Sequence, residues 1–404
     1  MVQQPTRADS GGERTGSADA KVIFALFLVH FVGDFYAAFV NPLLPVFVEE
    51  FSLTLAQVGL IAGISRFLSF VVQPSVGYVA DHYRTRWFIL GGPLMAIVFV
   101  SLVGIAPSFP VLIVFVALGS VGTSMFHPTA AGMVSTFSGR HFGFSMSIFN
   151  MGGTLAFGVG PLFITFFVAR YGLSASPFTM VLGLAAMILL HRIVPLPEEE
   201  GLKGRTFIGS IREALGPAWK PVVLIWVAMV LRSFVSQSFM TFVPVLYSRE
   251  GFSLVSIGVI VSMFTVAGAI SGLIAGHLSD RIGYKPIFYL SLGLSTPCLY
   301  LLLFLPGRWV YVSAFLAGFF VLATLPLGVA MAQELAPRGK SMVSSLMMGL
   351  AFGTGGMMTP LTGKLGDIFS IRPILALMAL IPLVTIAIIS RLPGGKLTPP
   401  THVV

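Results

Sequence analysis

Two ionisable side chains lie four residues apart within one long apolar stretch near the start of the chain. The stretch runs from Phe24 to Pro45 and contains His30 and Asp34. It is long enough to cross a bilayer as a helix, which takes roughly 20 residues, and residues four apart share one face of a helix. If the helix enters the membrane near Val22, a rise of about 1.5 Å per residue puts Asp34 about 18 Å deep, near the middle of the hydrocarbon core. A carboxylate at that depth must be paired, protonated or hydrated, so we favour an ion or substrate pathway over a purely structural contact between helices.

Asp34 is the only carboxylate that the sequence places deep in an apolar segment, which makes it the first candidate for binding a transported proton. A carboxylate near movable cations can change its proton affinity, and His30 can share the proton or hold the carboxylate in place. His127 is the third candidate, because Pro128 removes a backbone hydrogen bond beside it and leaves a carbonyl and an imidazole that can line a cavity. A lone histidine can equally bond the backbone of a neighbouring helix.

Two arginines, Arg66 and Arg232, also fall near the middle of apolar segments. A guanidinium at that depth must face water, a carboxylate or an anionic ligand. With two such cations and one central carboxylate, at least one arginine would lack a fixed partner and could receive a substrate anion. The alternative is an ion pair between Asp34 and Arg232, with Arg66 extending to the membrane surface. We predict Asn150 and Gln237 as further substrate contacts.

The composition is that of an integral membrane protein. Hydrophobic residues make up 56% of the 404 residues, charged residues make up 10%, and the mean hydropathy is +0.93, values that exclude a water-soluble domain of this size. Cys298 is the single cysteine, and the spacing of Cys and His gives no reason to expect a metal site. Without a nucleophile motif or a phosphate loop, we expect neither a cofactor nor an enzyme. Twelve apolar segments predict twelve transmembrane helices, at about 22–48, 55–80, 87–106, 110–135, 142–168, 174–192, 221–247, 254–278, 286–305, 309–333, 341–364 and 371–391.

The distribution of the positive charge is more informative than the net charge of +9. Most Lys and Arg residues fall in the chain ends and in the even-numbered loops, and few fall in the odd-numbered loops. By the positive-inside rule, this bias predicts that both termini are cytoplasmic. We therefore attribute the charge to membrane topology and do not expect a nucleic-acid partner.

One long polar break, from Pro195 to Pro221, divides the helices into two sets of six. Within it, Thr206 can cap a short amphipathic helix that ends at Gly216 and lies on the membrane surface. The predicted organisation is a disordered cytoplasmic tail at 1–20, a six-helix bundle at 21–194, a cytoplasmic linker at 195–220, a second six-helix bundle at 221–392 and a cytoplasmic tail at 393–404.

The two halves repeat each other at an offset of about 199 residues, as an internal duplication would. Pro45 recurs as Pro244, and Pro161 recurs as Pro360. A repeat of six helices with both ends on one side predicts two bundles related by an axis along the membrane normal, with a pathway between them.

A charged loop is part of this repeat. Its second copy reads GHLSDRIGYK from Gly276 to Lys285. It resembles the loop signature of the major facilitator superfamily, Gly-x-x-x-Asp-Arg-x-Gly followed by basic residues. Glycine lets helices approach closely, and the charges can form contacts that break and reform at a gate, although Asp81 and Asp280 could also be simple helix-end residues. The predicted gate residues are Gly77, Asp81 and Arg84 in the looser first copy and Gly276, Asp280, Arg281, Gly283 and Lys285 in the second, joined by Glu334 paired with Arg140 or Arg338, unless Glu334 is simply a solvated loop charge.

A closer resemblance covers most of the chain and rests on six motifs in the same order. They are His30-x-x-x-Asp34, FSLTLAQVGLI from Phe51, Gln73-Pro74-x-x-Gly77-Tyr78, Phe126-His127-Pro128, SGRHFGFSMSIFNMGG from Ser138 and AQELAPRGKSMVSSLMMGLAFGTGG from Ala332. Together they resemble the fosmidomycin-resistance group of facilitators. The resemblance implies the twelve-helix facilitator fold and proton-driven drug export in a bacterial inner membrane.

We therefore expect an all-helical, monomeric antiporter whose partners are protons, a small anionic or amphiphilic molecule and the lipid bilayer. The same residues would also serve a symporter that imports an organic anion with protons. A receptor or scaffold that keeps the fold but no longer transports is the third alternative, and the retained charges near the membrane centre count against it.

Overall fold

The structure is a computed structural model that describes residues 18–80, 86–139, 141–196, 215–305, 307–336, 343 and 346–392. Across these residues the fold is all-helical. The helices form twelve spans, which we number in chain order. The predicted linker helix lies almost entirely in 197–214, outside the described residues, and the predicted domain boundaries therefore remain predictions.

The first bundle contains spans 1 to 6. Span 1 comprises the helices Ala20–Ala37 and Val40–Phe51; span 2 is Leu55–Ala80; span 3 comprises Trp87–Gly91, Gly92–Ser101 and Leu102–Ile105; span 4 is Phe109–Phe137; span 5 is Phe142–Tyr171; and span 6 comprises Leu173–Thr179 and Met180–Ile193.

The second bundle contains spans 7 to 12. Span 7 comprises Gly216–Ala218 and Trp219–Arg249; span 8 is Leu254–Ile282; span 9 is Tyr284–Phe304; span 10 comprises Trp309–Leu322 and Thr324–Leu335; span 11 comprises Leu346–Ala351, Phe352–Met357 and Thr359–Phe369; and span 12 comprises Ile371–Met378 and Ile381–Ser390.

Eleven of these spans are long and apolar enough to cross a membrane, and span 11 is the remaining one. The predicted count of twelve helices is thus confirmed for the part of the chain that the structure describes. Several spans are interrupted a few residues before a proline, as span 10 is at Ala323 before Pro326 and span 11 at Met358 before Pro360. Proline has no N–H to donate and clashes with the carbonyl four residues earlier, which explains these breaks.

Both described ends of the chain lie on one side of the molecule. The amide of Asp19 donates to the carbonyl of Phe137 over 3.0 Å, so span 1 begins where span 4 ends. Lys285 donates to the carbonyl of Leu392, so span 12 ends where span 9 begins. We call this the terminal side, and we call the other the opposite side.

Small residues bring the helices of the first bundle close together. A Cβ placed at Gly152 of span 5 would stand 2.5 Å from the carbonyl oxygen of Phe27, so only glycine allows span 1 this close. Between spans 2 and 4, the hydroxyl of Ser120 donates to Ser65 over 2.9 Å, and Ser124 donates to Ser69 one turn further on over 3.0 Å. These contacts fix the faces that span 1 and span 4 turn toward each other.

The two bundles pack most extensively through two pairs of spans, and spans 1 and 2 also contact span 7. Span 2 packs antiparallel on span 11, where Thr359 donates to the carbonyl of Gly59 over 2.9 Å. Span 5 packs on span 8, where Ser262 donates to the carbonyl of Gly158 over 2.7 Å. Both contacts lie in the half of the membrane helices nearer the opposite side.

Three glycines in the terminal-side parts of the helices have open space beside them. Cβ atoms placed at Gly132, Gly276 or Gly349 would meet nothing within 4 Å among the described atoms, and these glycines lie in the terminal-side parts of spans 4, 8 and 11. The hydrogen bonds between the bundles that the structure describes at Thr359 and Ser262 thus lie nearer the opposite side.

Candidate functional site

Asp34 lies between two histidines. Nε2 of His30 is 3.1 Å from Oδ2 of Asp34, and Nε2 of His127 is 3.4 Å from Oδ1. The side chains of Asp34 and His30 are 7% and 9% exposed, whereas that of His127 is 31% exposed. Span 1 thus supplies the pair that the spacing of four predicts, and span 4 adds His127. We call these three residues the His–Asp–His cluster.

Backbone carbonyls fix the other ring nitrogen of each histidine. Nδ1 of His30 is 2.8 Å from the carbonyl oxygen of Phe149 on span 5, and Nδ1 of His127 is 2.6 Å from that of Thr123, one turn earlier on span 4. A carbonyl oxygen can only accept, so both Nδ1 atoms donate. Each Nε2 therefore faces the Asp34 carboxylate.

This geometry sets how many protons the cluster holds when all its hydrogen bonds are made. A contact between Nε2 and a carboxylate oxygen is a hydrogen bond only if a proton lies between them. Two such contacts need two protons, which leaves a carboxylate between two imidazolium rings and one net positive charge. Loss of one proton puts a nitrogen lone pair against the charged oxygen of Asp34, and that contact becomes repulsive.

Apolar side chains surround the buried part of the cluster. The Phe126 ring stacks on that of His127 with 4.1 Å between centroids and stands edge-on to that of His30 at 5.8 Å. Gly33 makes room for this ring, because a Cβ there would stand 2.8 Å from Cζ of Phe126. Water therefore reaches the cluster most readily at His127.

Arg66 lies on span 2 and reaches the second bundle. Its guanidinium carbon is 4.7 Å from the centroid of the Phe352 ring of span 11. A Cβ placed at Gly356 would stand 2.9 Å from Cβ of Arg66, so a glycine is needed where the two helices cross. Among the described residues, no carboxylate lies within 4.0 Å of this guanidinium.

Arg232 lies on span 7 and is 4% exposed. None of its three side-chain nitrogens has a hydrogen-bond partner in the described structure. The ion pair between Asp34 and Arg232 that we considered as an alternative is not formed, since Asp34 contacts the two histidines instead. The next residue, Ser233, donates to the carbonyl of Phe352 over 3.0 Å, so both arginines lie near the same part of span 11.

The two predicted polar substrate contacts have different surroundings. Gln237 is buried on span 7, and Asn150 is exposed on span 5 beside Phe149, whose carbonyl accepts from His30. Among the described residues, neither forms a hydrogen bond with the cluster. Their roles in substrate binding remain predictions.

The predicted gate residues are only partly described. Asp81, Arg84, Arg140 and Arg338 lie outside the described residues, as does the side chain of Asp280, so their contacts remain predictions. Gly77 and Gly276 lie within helices, Arg281 is exposed, and Gly283 ends span 8 with a φ of 83°, a conformation that favours glycine. Lys285 binds the carbonyl end of span 12, and Tyr284 donates to Glu334.

Asp367 is a contact between the bundles that the sequence did not reveal. Its carboxylate oxygens accept from the amides of Leu55 and Ala56 over 2.8 and 3.0 Å. These amides open span 2, so a side chain of the second bundle caps a helix of the first on the opposite side. An acidic residue near a helix end gives no signal of a partner more than 300 positions away.

The structure also gathers metal-type ligands that sequence spacing could not show. One ligand atom each from His30, Asp34 and His127 lie within 4.8 Å of one another. His127 is too distant in sequence for any ligand-spacing motif to include it. Asp34 lies 3.1 Å from His30 and 3.4 Å from His127, which are ion-pair distances, and binding protons is the role we give the cluster.

Known proteins resemble the chain over nearly its whole length. It is 27% identical over 395 residues to the Fosmidomycin resistance protein of Escherichia coli K12, which covers 95% of this chain and 96% of that protein. It is 25% identical over 390 residues to the uncharacterized MFS-type transporter YfnC of Bacillus subtilis 168, covering 93% of each chain.

A solved structure shows the same fold. A bacterial homologue of the human lysosomal transporter Spinster, in an inward-facing and occupied conformation, superposes with a TM-score of 0.77 at 16% identity over 94% of this chain and 98% of its own. The family model described as Major Facilitator Superfamily matches residues 26–339 and 251–402. The chain therefore belongs to the Major Facilitator Superfamily, and it is a multi-pass cell-membrane transporter and not an enzyme.

Proposed function

We propose that this transporter exports a small anionic or amphiphilic compound in exchange for protons. The observation that carries the proposal is the His–Asp–His cluster, in which Asp34 faces Nε2 of His30 and Nε2 of His127. Ionisable residues inside membrane helices are expensive to keep there and usually serve ion pathways. The cluster contains groups whose chemistry allows them to bind and release protons without a metal or a second protein.

Proton loading would change how spans 1 and 4 pack. With two protons, both contacts of Asp34 are hydrogen bonds and the helices are held together; with one proton fewer, one contact is repulsive. His127 is the most exposed member, so the proton that exchanges with water is the one on its Nε2. A change in the fit of spans 1 and 4 can then alter the relative stability of the two access states.

The access state of the structure supports exchange from the terminal side. Thr359 and Asp367 hold the bundles together on the opposite side, and Gly132 and Gly276 meet no neighbour among the described atoms toward the terminal side. If the termini are cytoplasmic, the cluster in this state exchanges protons with the cytoplasm.

Two arginines that form no ion pair among the described residues support an anionic cargo. Arg66 and Arg232 lie on either side of the Gly353 to Gly356 part of span 11, one from each bundle. Fosmidomycin, for which the Escherichia coli relative is named, is a phosphonate, so it is the first anion to test. Drug resistance in that relative agrees with export and supports antiport here.

Symport of an anion with protons is the second candidate. The proton-loaded cluster carries one net positive charge. Loading the cluster would therefore make the cavity more attractive to an anion, which favours binding of protons and anion together.

One measurement separates the two directions. The purified protein is placed in sealed liposomes that contain a pH-sensitive dye, and fosmidomycin is added outside. Antiport makes the lumen more alkaline as the drug enters, and symport makes it more acidic; the sign does not depend on how the protein is oriented. Drug uptake without any proton movement would contradict both.

Asp34→Asn is the decisive variant, since asparagine fills the same volume without a charge. We expect it to abolish proton movement driven by the drug. Glu50→Gln is the matched control, because Glu50 is an exposed carboxylate at the end of the same span and should be dispensable. Undiminished proton movement in Asp34→Asn would remove the cluster from the mechanism.

A further inference from the structure

Arg232 is the most anomalous charge in the described structure. It is 4% exposed, and its Nε, Nη1 and Nη2 atoms have no hydrogen-bond partner in the part of the chain that the structure describes. A buried charge is expensive unless it is paired and hydrogen-bonded, and a guanidinium brings five N–H donors in a fixed plane. A bound ligand with hydrogen-bond acceptors would satisfy these donors.

A second unpartnered polar group lies on the helix that faces Arg232. Thr324 of span 10 is 1% exposed, and its hydroxyl has no hydrogen bond in the described structure. Spans 7 and 10 pack together at Met229 and Gly328, where a Cβ on the glycine would stand 2.9 Å from Cγ of the methionine. The spans run in opposite directions, so one turn from this contact Arg232 and Thr324 reach the same depth on the facing sides of their helices.

The internal repeat supports this pairing. In the first bundle, a Cβ at Gly92 would stand 2.7 Å from the carbonyl oxygen of Gly122. The positions about 199 residues later, Ser291 and Phe320, are joined by a hydrogen bond. The two bundles therefore repeat contacts between helices as well as sequence motifs.

The same offset, within one residue, relates the cluster to Arg232. It takes Gly33 and Phe126, which touch in the first bundle, to Arg232 and Thr324. Gly33 precedes Asp34, and Phe126 precedes His127. Asp34 itself corresponds to Ser233, so the guanidinium of Arg232 and the hydroxyl of Thr324 each lie one residue before the positions equivalent to Asp34 and His127.

We propose that Arg232 and Thr324 form an oxyanion-binding site between spans 7 and 10, for the carboxylate or phosphonate group of an organic anion. The planar fork of Arg232 would bind two oxygens side by side, and the Thr324 hydroxyl would donate to one of them. The site rests on the proposed function in that its ligand is the cargo. Because Arg232 is 4% exposed, the anion enters only when the two spans separate, which ties occupancy to the conformational cycle.

Equilibrium binding to the full-length protein in nanodiscs tests the site without any proton gradient. The probes are methylphosphonate and acetate as organic oxyanions, sulfate as an inorganic oxyanion and chloride as a spherical anion, titrated by calorimetry. We expect wild type to bind methylphosphonate more tightly than chloride. Arg232→Lys keeps the charge but loses the fork, and it should raise the dissociation constant about tenfold to a hundredfold.

Thr324→Val is the second variant and keeps the fold testable should Arg232→Lys be unstable. It removes one hydrogen bond to a charged oxygen of the anion and should raise the dissociation constant about tenfold to a hundredfold. Thr241→Val is its matched control, since the hydroxyl of Thr241 on span 7 is also buried and has no hydrogen-bond partner among the described residues. It should bind like wild type.

Three results would overturn the site. Equal affinity in wild type and Arg232→Lys would make the arginine structural. Chloride binding as tight as methylphosphonate would reject an oxyanion site, and sulfate binding without either organic anion would reject an organic cargo. Intact binding together with a failure of coupled transport would refute the proton proposal alone and leave this site standing.

Discussion

Gly153 of span 5 lies directly against the carboxylate of Asp34 on span 1. A Cβ placed at Gly153 would stand 2.8 Å from Oδ2 of Asp34, and it would also meet Nε2 of His30. Real Cβ atoms do not approach other atoms so closely, so the charged pair and a side chain at this position exclude each other. The glycine therefore allows span 5 to close over the cluster.

Gly153→Ala should disable proton coupling. The added methyl group must displace Asp34 or His30, and either movement breaks the contact of 3.1 Å between them. We expect substrate-driven proton movement to be lost in liposomes while the protein still folds, because alanine favours a helix by about 1 kcal/mol over glycine.

Gly132→Ala is the matched control for this substitution. Gly132 lies inside span 4, and a Cβ there would meet nothing within 4 Å among the described atoms. Transport should be unchanged and thermal stability equal or slightly higher. Normal coupling in Gly153→Ala would mean that the tight fit around Asp34 is not needed for proton binding.

His127→Gln should transport without a response to pH in the neutral range. Its amide can still donate to Oδ1 of Asp34, so the contact between spans 1 and 4 survives, but it has no exchangeable proton there. As pH rises, wild type loses a proton from Nε2 of His127 and the contact turns repulsive, whereas the variant does not change. Initial transport rates over a series of pH values on both sides of neutral measure this difference.

His30→Gln provides the comparison for His127→Gln. His30 is enclosed by Phe126, Phe149 and span 5, and it is far less exposed than His127. We expect its loss to weaken transport but to leave a pH response, since His127 still exchanges its proton. A flat profile in His30→Gln and a normal one in His127→Gln would reverse the assignment.

Hydropathy and the repeat were sufficient to predict the membrane fold, because a span of about 20 apolar residues has few alternatives in a bilayer. They also placed His30 and Asp34 together, since a spacing of four is a local property of a helix. The contact of His127 with Asp34 could not be derived, because it depends on how span 4 rotates against span 1. That rotation follows from Phe126 packing on Gly33 and from the serine pairs of spans 2 and 4.

The contacts of the two arginines could not be predicted from the sequence either. The sequence left open an ion pair between Asp34 and Arg232, and the two histidines occupy the carboxylate instead. Asp367 and Thr324 gave no signal at all, since each acts through a partner on another helix. Long-range contacts of this kind depend on packing and not on local pattern.

Asp367→Ala should open the side of the protein opposite the termini. The carboxylate caps the first amides of span 2, and loss of a helix cap costs about 0.5 to 2 kcal/mol. Because this cap joins the two bundles, its loss destabilises only the conformation in which the opposite side is closed. Spin labels at Ser174→Cys and Arg308→Cys, in a Cys298→Ser background, report the distance between the bundles on that side. The population of longer distances should increase.

Glu250→Gln is the control for Asp367→Ala. Glu250 forms an ion pair with Arg372 on the same side, but both residues belong to the second bundle. Its loss should leave the distance between the bundles unchanged. If both variants shift the distances equally, a general effect of charge, and not the cap on span 2, would be responsible.

The charge bias predicts which side of the membrane holds the termini. Reporter domains fused after Leu196 and after the C-terminus should read cytoplasmic, and one inserted near Ser108 should read external. Ser108 lies in the link between spans 3 and 4, on the opposite side. An external reading at the C-terminus would reverse the direction of access that we assign to the structure.

Arg66→Lys should weaken binding of an anionic substrate while sparing neutral ones. Arg66 joins the bundles through its stacking on Phe352, and a lysine keeps the charge but loses both the stacked plane and the fork that holds two oxygens. A loss of about 1.4 to 2.8 kcal/mol of binding free energy would raise the dissociation constant for fosmidomycin about tenfold to a hundredfold. Binding in nanodiscs, with an uncharged amphiphilic drug as the matched ligand, measures the effect.

Because Arg66 and Arg232 lie in different bundles, the double lysine variant tests whether one anion bridges them: combined losses that differ from the sum of the single losses indicate one shared ligand, and additive losses indicate independent sites. Unchanged affinity for every anion tried would leave Arg66 as a packing contact between span 2 and span 11.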